Sequence, residues 1–245
     1  MKNILIADSR PELLATLEPI LKHWGYRVLS TSKADQVMPF IKESKPCLLV
    51  MGEDFFAAKD LALDAKTTES IKTGQLPAIA LKQDGAEATE ITPDDSITVP
   101  FELFELFAFI QRRVENHPRQ NLRLRLKLPG MYSIEKDEFI LADVLTLSMR
   151  GLFFKAPTRI KEGDRLNVVF PLFGHCKEIE IASTVLYTVK PESENNFFQG
   201  FGVVFDDLSV DHKNQLQMFI REHFLREVSA SNAGVGDFSA GQLKN

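Results

Sequence analysis

Two arginines open the segment of this sequence whose charge pattern could bind an anion. Arg119 and Arg123 are separated by three residues, and residues 112–127 (RRVENHPRQNLRLRLK) hold six basic groups and one acidic group. The whole chain of 245 residues has a net charge of −5. Because this segment has a charge of +5, the rest of the chain has a net charge of −10. Guanidinium groups bind phosphates and paired acceptor atoms through two parallel hydrogen bonds. The segment therefore predicts an anion-binding site.

A second short motif follows downstream, in the sequence TLSMRG. Ser148 is small and carries a hydroxyl that can hydrogen-bond a phosphate or a base. Gly151 permits a turn that brings the backbone close to a ligand. Thr146, at the start of the motif, offers one hydroxyl oxygen and no charge.

Motifs of catalysis are missing from the sequence. There is no GxxxxGK, GxSxG or HExxH pattern, and the five histidines show no metal-binding spacing. We therefore predict a non-enzyme with no catalytic residue, no metal and no cofactor. Two cysteines, Cys47 and Cys176, form no disulfide framework. No apolar run approaches the length of a membrane span and the N-terminus does not resemble a signal peptide, so we expect a cytoplasmic protein.

The first half alternates short apolar runs with amphipathic stretches. Strands are predicted at Asn3–Ala7, Tyr26–Leu29, Cys47–Met51, Ala78–Leu81 and Ser96–Val99, with helices at Pro11–His23, Asp35–Glu43, Phe55–Ile71 and Phe101–Val114. This order indicates βαβ units. Residues 1–117 are therefore predicted to form a parallel sheet with helices on both faces.

The pattern changes after Pro118. Leu122–Leu128 alternates leucine with Arg123, Arg125 and Lys127, which is typical of a half-buried strand. Shorter strands follow, then a helix at Ser209–Arg226. Residues 118–227 are therefore predicted to form an antiparallel sandwich or barrel with a terminal helix. The small, polar segment 228–245 is predicted to be disordered.

The first half resembles a response-regulator receiver domain with a flavodoxin-like fold. The segments ILIADS, HWGYRVLST, KPCLLVMG, LPAIALK and SITVPFELFELFAFI carry the resemblance. It implies an acidic pair that holds a metal, a phosphate-accepting Asp, a Thr or Ser, and a Lys. Those positions are occupied here by Asp8–Ser9, Gly52, Lys82 and Val99. We therefore expect a degenerate receiver that serves as an interaction module, although a register slip would make Glu53 or Asp54 the acceptor.

The last helix of the first half contains more apolar residues than one buried stripe needs. Residues 101–110 (FELFELFAFI) are apolar at eight of ten positions. One interpretation is a second buried contact, with a homodimer partner through residues 101–114 or with the second domain. The other is that this helix simply fills more of its own core.

The second half resembles a PilZ domain, a small β-barrel family that binds cyclic di-GMP. Arg119-Gln-Asn-Leu-Arg123 matches the family's RxxxR motif, Thr146 to Gly151 matches its (D/N)xSxxG motif except at Thr146, and GFGVVFDDLS resembles its last strand. The resemblance implies that Arg119, Arg123, Thr146, Ser148 and Gly151 contact the ligand.

The chemistry of that ligand suits these side chains. Cyclic di-GMP has two negative charges, and each guanine presents N7 and O6 side by side to a guanidinium group. Thr146 replaces a residue that would accept hydrogen bonds from guanine N1–H and N2–H, and losing a charged hydrogen bond costs roughly 1.5–3 kcal/mol. Asp143 is predicted to lie on the opposite strand face from Thr146 and to be a poor substitute.

We therefore expect a bacterial signalling protein that binds cyclic di-GMP and relays it by domain rearrangement or by docking a protein partner. The resemblance implies motility, surface attachment or type IV pili as the output. The alternative is a ligand-free adaptor, in which Arg123, Arg125 and Lys127 are only the solvated face of a strand. The neutral second half argues against a DNA-binding output domain.

Overall fold

The chain divides into two compact units. In a computed structural model, Met1–Gln120 with Leu225–Asn245 make the first unit and Asn121–Phe224 the second. The structure describes residues 2–57, 63–83, 95–134, 138–157, 160–172, 177–232 and 242–243.

The first unit contains a five-stranded parallel sheet in the order β2-β1-β3-β4-β5. Its strands are β1 (Asn3–Ala7), β2 (Arg27–Thr31), β3 (Leu48–Gly52), β4 (Ala78–Gln83) and β5 (Asp95–Val99). Every residue of β3 is buried, as expected for a central strand with both sheet faces covered. The predicted flavodoxin-like fold is confirmed, since this strand order is one of the two common doubly wound arrangements.

The described residues before the barrel form five helices: α1 (Pro11–His23), α2 (Ala34–Ser44), α3 (Glu53–Ala57), α4 (Ala65–Lys72) and α5 (Leu103–Val114). The segment Phe55–Ile71, predicted to be mostly helical, contributes to two helices, α3 and α4, and residues 58–62 lie outside the described part. Helix α4 begins after Asp64 because this residue caps its N-terminus. The Asp64 carboxylate accepts a hydrogen bond from the Thr67 N–H at 2.8 Å.

The apolar side chains around α5 find cover within the first unit. Leu106 and Ile110 are fully buried, and so is Phe101, which precedes the helix. The Phe101 N–H donates to the Gln242 carbonyl at 3.1 Å, and Phe101 forms a β-bridge with Leu243. Much of the apolar excess in this segment is thus buried against the chain itself, while a homodimer through residues 101–114 stays a prediction.

The second unit is a closed six-stranded barrel in the order β10-β11-β8-β7-β6-β9, with every pairing antiparallel. Its strands are β6 (Arg123–Ser133), β7 (Ile140–Ser148), β8 (Gly151–Lys155), β9 (Arg165–Leu172), β10 (Lys177–Val189) and β11 (Gly200–Phe205). Of the two predicted alternatives, the barrel is therefore correct. Buried aromatic rings fill its interior, and Tyr132 packs edge-on against Phe201 with ring centroids 5.0 Å apart.

Helix α6 (Val210–Ser231) follows the barrel. It continues past residue 227, where the sequence predicted a disordered tail to begin. The reason lies in the spacing of its apolar residues, because Phe224 and Val228 stand four residues apart on one buried stripe. Residues 233–241 of the predicted tail lie outside the described residues.

Candidate functional site

The outward face of β6, β7 and β8 brings most of the predicted barrel residues together. In the strand register, Arg123 lies opposite Ser148, and Ser148 lies opposite Gly151. Residues directly opposite on neighbouring strands share a face, with their Cβ atoms about 4.5–5.5 Å apart. Arg123 is exposed between the buried Leu122 and Leu124, so this row faces outward.

A second outward row follows one step along the strands. Arg125 lies opposite Thr146, and Thr146 lies opposite Phe153. Arg125 is exposed, as the alternation in the sequence predicted, while Thr146 is half-buried. Thr146 and Ser148 thus each pair with an arginine of the neighbouring strand.

Ser148 has a local task that the sequence did not reveal. Its side chain is mostly buried, and its hydroxyl donates to the Gly151 carbonyl oxygen at 3.0 Å. The Arg150 N–H donates to the same hydroxyl oxygen at 3.4 Å. Ser148 therefore closes the hairpin between β7 and β8, and its hydroxyl proton is engaged there. A ligand could still use the remaining acceptor capacity of the oxygen.

Gly151 is required by the barrel itself. A side chain at this position would collide with the carbonyl oxygen of Val203 on β11. The sequence predicted a close approach of the backbone to a ligand at this glycine. The close approach that the structure describes is between β8 and β11.

An aromatic cluster beside these rows was missed by the sequence analysis. Phe153 stacks on Phe198 at 5.6 Å between ring centroids and on Tyr187 at 6.0 Å. The rings lie over Gly200 and Gly202 of β11, where side chains would collide with Phe153 and Tyr187. The alternating glycines of GFG were the available signal, because alternate residues of a strand share one face.

Arg119 belongs to the first unit, where its backbone is anchored and its side chain is exposed. Its N–H donates to the Gln111 side-chain oxygen at 3.0 Å, and the Gln111 amide donates to the Tyr26 hydroxyl at 3.0 Å. Tyr26 in turn donates to Glu115 at 3.1 Å.

Of the two motif arginines, Arg119 lies near a carboxylate, because its charge contributes to the lowered pKa of Glu115. Within the part of the chain that the structure describes, neither Arg119 nor Arg123 forms an ion pair with a carboxylate. Glu115 is paired instead with Lys2 at 2.8 Å, and this hydrogen bond is the main reason why the pKa of Glu115 is lowered. Both motif arginines are exposed, and neither has an ion-pair partner among the described residues.

The predicted orientation of Asp143 is wrong. Asp143 pairs with Lys155 and Val144 with Phe154, but Thr146 pairs with Phe153, so Leu145 is an extra residue in β7. Such a β-bulge shifts the alternation of side chains by one position. Asp143 consequently lies on the same outward face as Thr146.

The receiver-like unit has a cation of its own where the resemblance implies a divalent metal. Asp8 is fully buried, and both of its carboxylate oxygens accept hydrogen bonds from the Arg10 guanidinium group, each at 2.7 Å. The bond with Asp8 is the largest cause of the raised pKa of Arg10, and Asp54 and Glu53 add to it. These residues do not fit a metal ion, because the guanidinium group already neutralises the buried carboxylate.

The other receiver positions fall at strand ends as expected. Gly52 is the last residue of β3 and Val99 the last of β5, while Lys82 comes near the end of β4. A side chain at Gly52 would collide with the carboxylates of Asp8 and Asp54. Glu53 accepts the Gln83 N–H at 3.0 Å. Among the described residues, no cluster of three or more acidic, His or Cys side chains could hold a metal.

Sequence comparison defines the class of the second unit. The second unit is a small antiparallel barrel with a basic first strand, and residues 116–222 match the sequence model of the PilZ domain family. This stretch of the chain is a PilZ domain.

Known relatives also cover the other half. The chain is 28% identical over 118 residues to the response regulator GtcR of Aneurinibacillus migulanus, a match covering 46% of this chain and 48% of GtcR. The first unit is thus receiver-like in sequence as well as in fold.

Among solved structures, the chain is similar to the Bacillus subtilis inhibitor of motility MotI/DgrA, with 15% identity and a TM-score of 0.40 over 45% of this chain and 53% of that chain. It is also similar to the PilZ domain of YcgR from Escherichia coli with c-di-GMP, with 15% identity and a TM-score of 0.39 over 49% of this chain and all of that chain. The chain spans about half the length of GtcR and of MotI/DgrA. Of the helices that the structure describes, none combines the length and apolar character needed to cross a membrane.

Proposed function

We propose that this protein is a non-enzymatic signalling protein whose PilZ domain binds cyclic di-GMP. Residues 1–117 would serve as the receiver-like domain and 118–227 as the barrel domain, and the tail would begin after α6 ends at Ser231. The observation that carries the proposal is the position of Arg123, which is exposed, unpaired among the described residues, and directly opposite Ser148 on the outward face of the barrel.

The two arginines of the RxxxR motif supply charge that suits this ligand. Arg119 and Arg123 are both exposed, and guanidinium groups can bind phosphate oxygens and the N7/O6 edge of guanine with the same fork of donors. Thr146, Ser148 and Gly151 complete the proposed site. Ser148 and Gly151 act in it mainly by holding the β7–β8 hairpin in shape, and Ser148 also offers an acceptor oxygen.

The signal would be relayed through the segment that precedes the barrel. Ligand contact with Arg119 and Arg123 would change how the two domains are placed, or which protein partner they dock. A ligand shifts such an equilibrium only by its difference in affinity for the two arrangements. The cellular output in this proposal is motility, surface attachment or pilus function.

Calorimetric titration of the full chain with cyclic di-GMP tests the proposal. Arg123→Ala should reduce the affinity at least tenfold, because truncating a charged hydrogen-bond partner costs roughly 1.5–3 kcal/mol. Arg165→Ala is the matched control. Arg165 is also exposed but begins β9, which pairs with the far end of β6, Asn167 opposite Ser133. Equal affinity of the wild type and Arg123→Ala would place the site elsewhere.

A ligand-free adaptor is the second candidate function. Two hydrogen bonds favour this candidate. The Ser148 hydroxyl donates to the Gly151 carbonyl oxygen, and the Arg10 guanidinium group donates to the Asp8 carboxylate. Each of them engages a polar group that a small ligand would otherwise contact. Absence of any heat at high micromolar cyclic di-GMP is the result that this candidate predicts.

A further inference from the structure

The outward face of β6, β7 and β8 carries several cations and a single carboxylate. These three strands contain Arg123, Arg125, Lys127 and Lys155, and Asp143 is their one acidic residue. An isolated carboxylate within a basic face is notable when the ligand expected there is itself an anion. It would weaken binding unless it recognises a hydrogen-bond donor of that ligand.

The bulge at Leu145 places Asp143 where a donor could be recognised. Val144 and Leu147 both point into the barrel and are fully buried, so the residues flanking them on the outward side are Asp143, Thr146 and Ser148. Without the extra residue, Asp143 would point inward from its place in the strand. The bulge thus delivers a carboxylate to the row next to Thr146.

The Asp143 carboxylate is also accessible. Its side chain is 43% exposed, and its one ion pair among the described residues is with Lys127, at 3.6 Å. Lys127 is 76% exposed, so a ligand could displace it at little cost. A carboxylate in this position can accept two parallel hydrogen bonds, which a threonine hydroxyl cannot.

We propose that Asp143 recognises the N1–H and N2–H donors of a guanine base and thereby selects guanine over adenine. This inference rests on the proposed function. Guanine presents two adjacent donors on that edge, whereas adenine has an acceptor at N1 and no amino group at C2. The same carboxylate would therefore attract the first base and repel the second.

Titration of the full chain with cyclic di-GMP and, separately, with cyclic di-AMP tests this role. Asp143→Asn should weaken cyclic di-GMP binding by about ten- to a hundredfold and reduce the preference over cyclic di-AMP. Glu180→Gln is the matched control, because it removes one carboxylate charge from β10, which stands opposite β7 in the six-stranded barrel. It should change neither affinity.

Lys127→Met separates base recognition from the ion pair. This substitution breaks the ion pair with Asp143 but leaves the carboxylate in place. The affinities for cyclic di-GMP and cyclic di-AMP should both fall because a positive charge is lost, while the preference for guanine should persist. Unchanged affinity and preference in Asp143→Asn would overturn the inference while the proposed function stands. A wild-type protein that binds neither dinucleotide would overturn both.

Discussion

At the scale of single residues, charged groups in the two halves of the molecule are handled in opposite ways. In the receiver-like unit, Arg10 is bound to the buried Asp8 through both carboxylate oxygens. On the barrel, Arg123 is exposed and, among the described residues, has no carboxylate partner. The first arginine neutralises a buried carboxylate, whereas the second is the one to which the proposal assigns an external anion.

Loss of Arg10 should therefore destabilise the protein. Arg10→Met leaves the fully buried Asp8 carboxylate without its cation, and removing one partner of a buried pair costs about 3–5 kcal/mol. Lys22→Met, which breaks the exposed pair with Glu18, should cost at most about 1 kcal/mol. Urea denaturation of both variants measures the difference. Equal free energies of unfolding for the two variants would mean that the buried Arg10–Asp8 pair stabilises the protein no more than the exposed Lys22–Glu18 pair.

Glu115 makes the stability of the first unit depend on pH. Lys2 lowers the pKa of its carboxyl in the folded chain. A lowered folded pKa gives stability that is present above the unfolded value and is lost as the pH falls through the folded value. Thermal unfolding should thus show the wild type losing more stability than Glu115→Gln as the pH falls below the ordinary Glu range. Parallel pH profiles would contradict this assignment.

At the scale of elements, continuous apolar runs were predictable and local irregularities were not. The bounds of β1 agree with the prediction, because an apolar run between polar residues marks a buried strand. Strand β6 was predicted to stop before Pro129 but continues to Ser133. Pro129 is tolerated because β6 pairs with β9 only from Met131 onward, so its missing N–H leaves no gap on that side.

The candidate site shows the same division. The outward direction of Arg123 and Arg125 follows from strict alternation and was predicted. The extra residue in β7 leaves no mark in the sequence, because Leu145 fits the apolar pattern of its neighbours. The face of Asp143 could therefore be read only from the pairing of β7 with β8. The role of Ser148 in the hairpin likewise depends on contacts that spacing does not encode.

At the scale of the whole molecule, the chain joins a receiver-like unit to a PilZ domain. In the proposal the signal comes from the ligand of the PilZ domain, because Arg10 already neutralises Asp8 in the receiver-like unit. The receiver-like unit would then contribute through protein contacts.

Ligand-driven rearrangement has a direct consequence in solution. Small-angle scattering of the full chain should show a change in radius of gyration on saturation with cyclic di-GMP, because the ligand would favour one arrangement of the domains. Arg123→Ala at the same ligand concentration is the control and should show none. Tight binding without any change in scattering would rule out the rearrangement and leave partner docking as the relay.

A calorimetric titration of the wild-type full chain with cyclic di-GMP measures whether guanidinium groups before and at the start of the barrel bind this ligand. We expect saturable heat that Arg123→Ala largely removes and Arg165→Ala preserves. A wild-type titration without heat at high micromolar ligand would contradict it, and the protein would then be an adaptor that works through protein contacts alone.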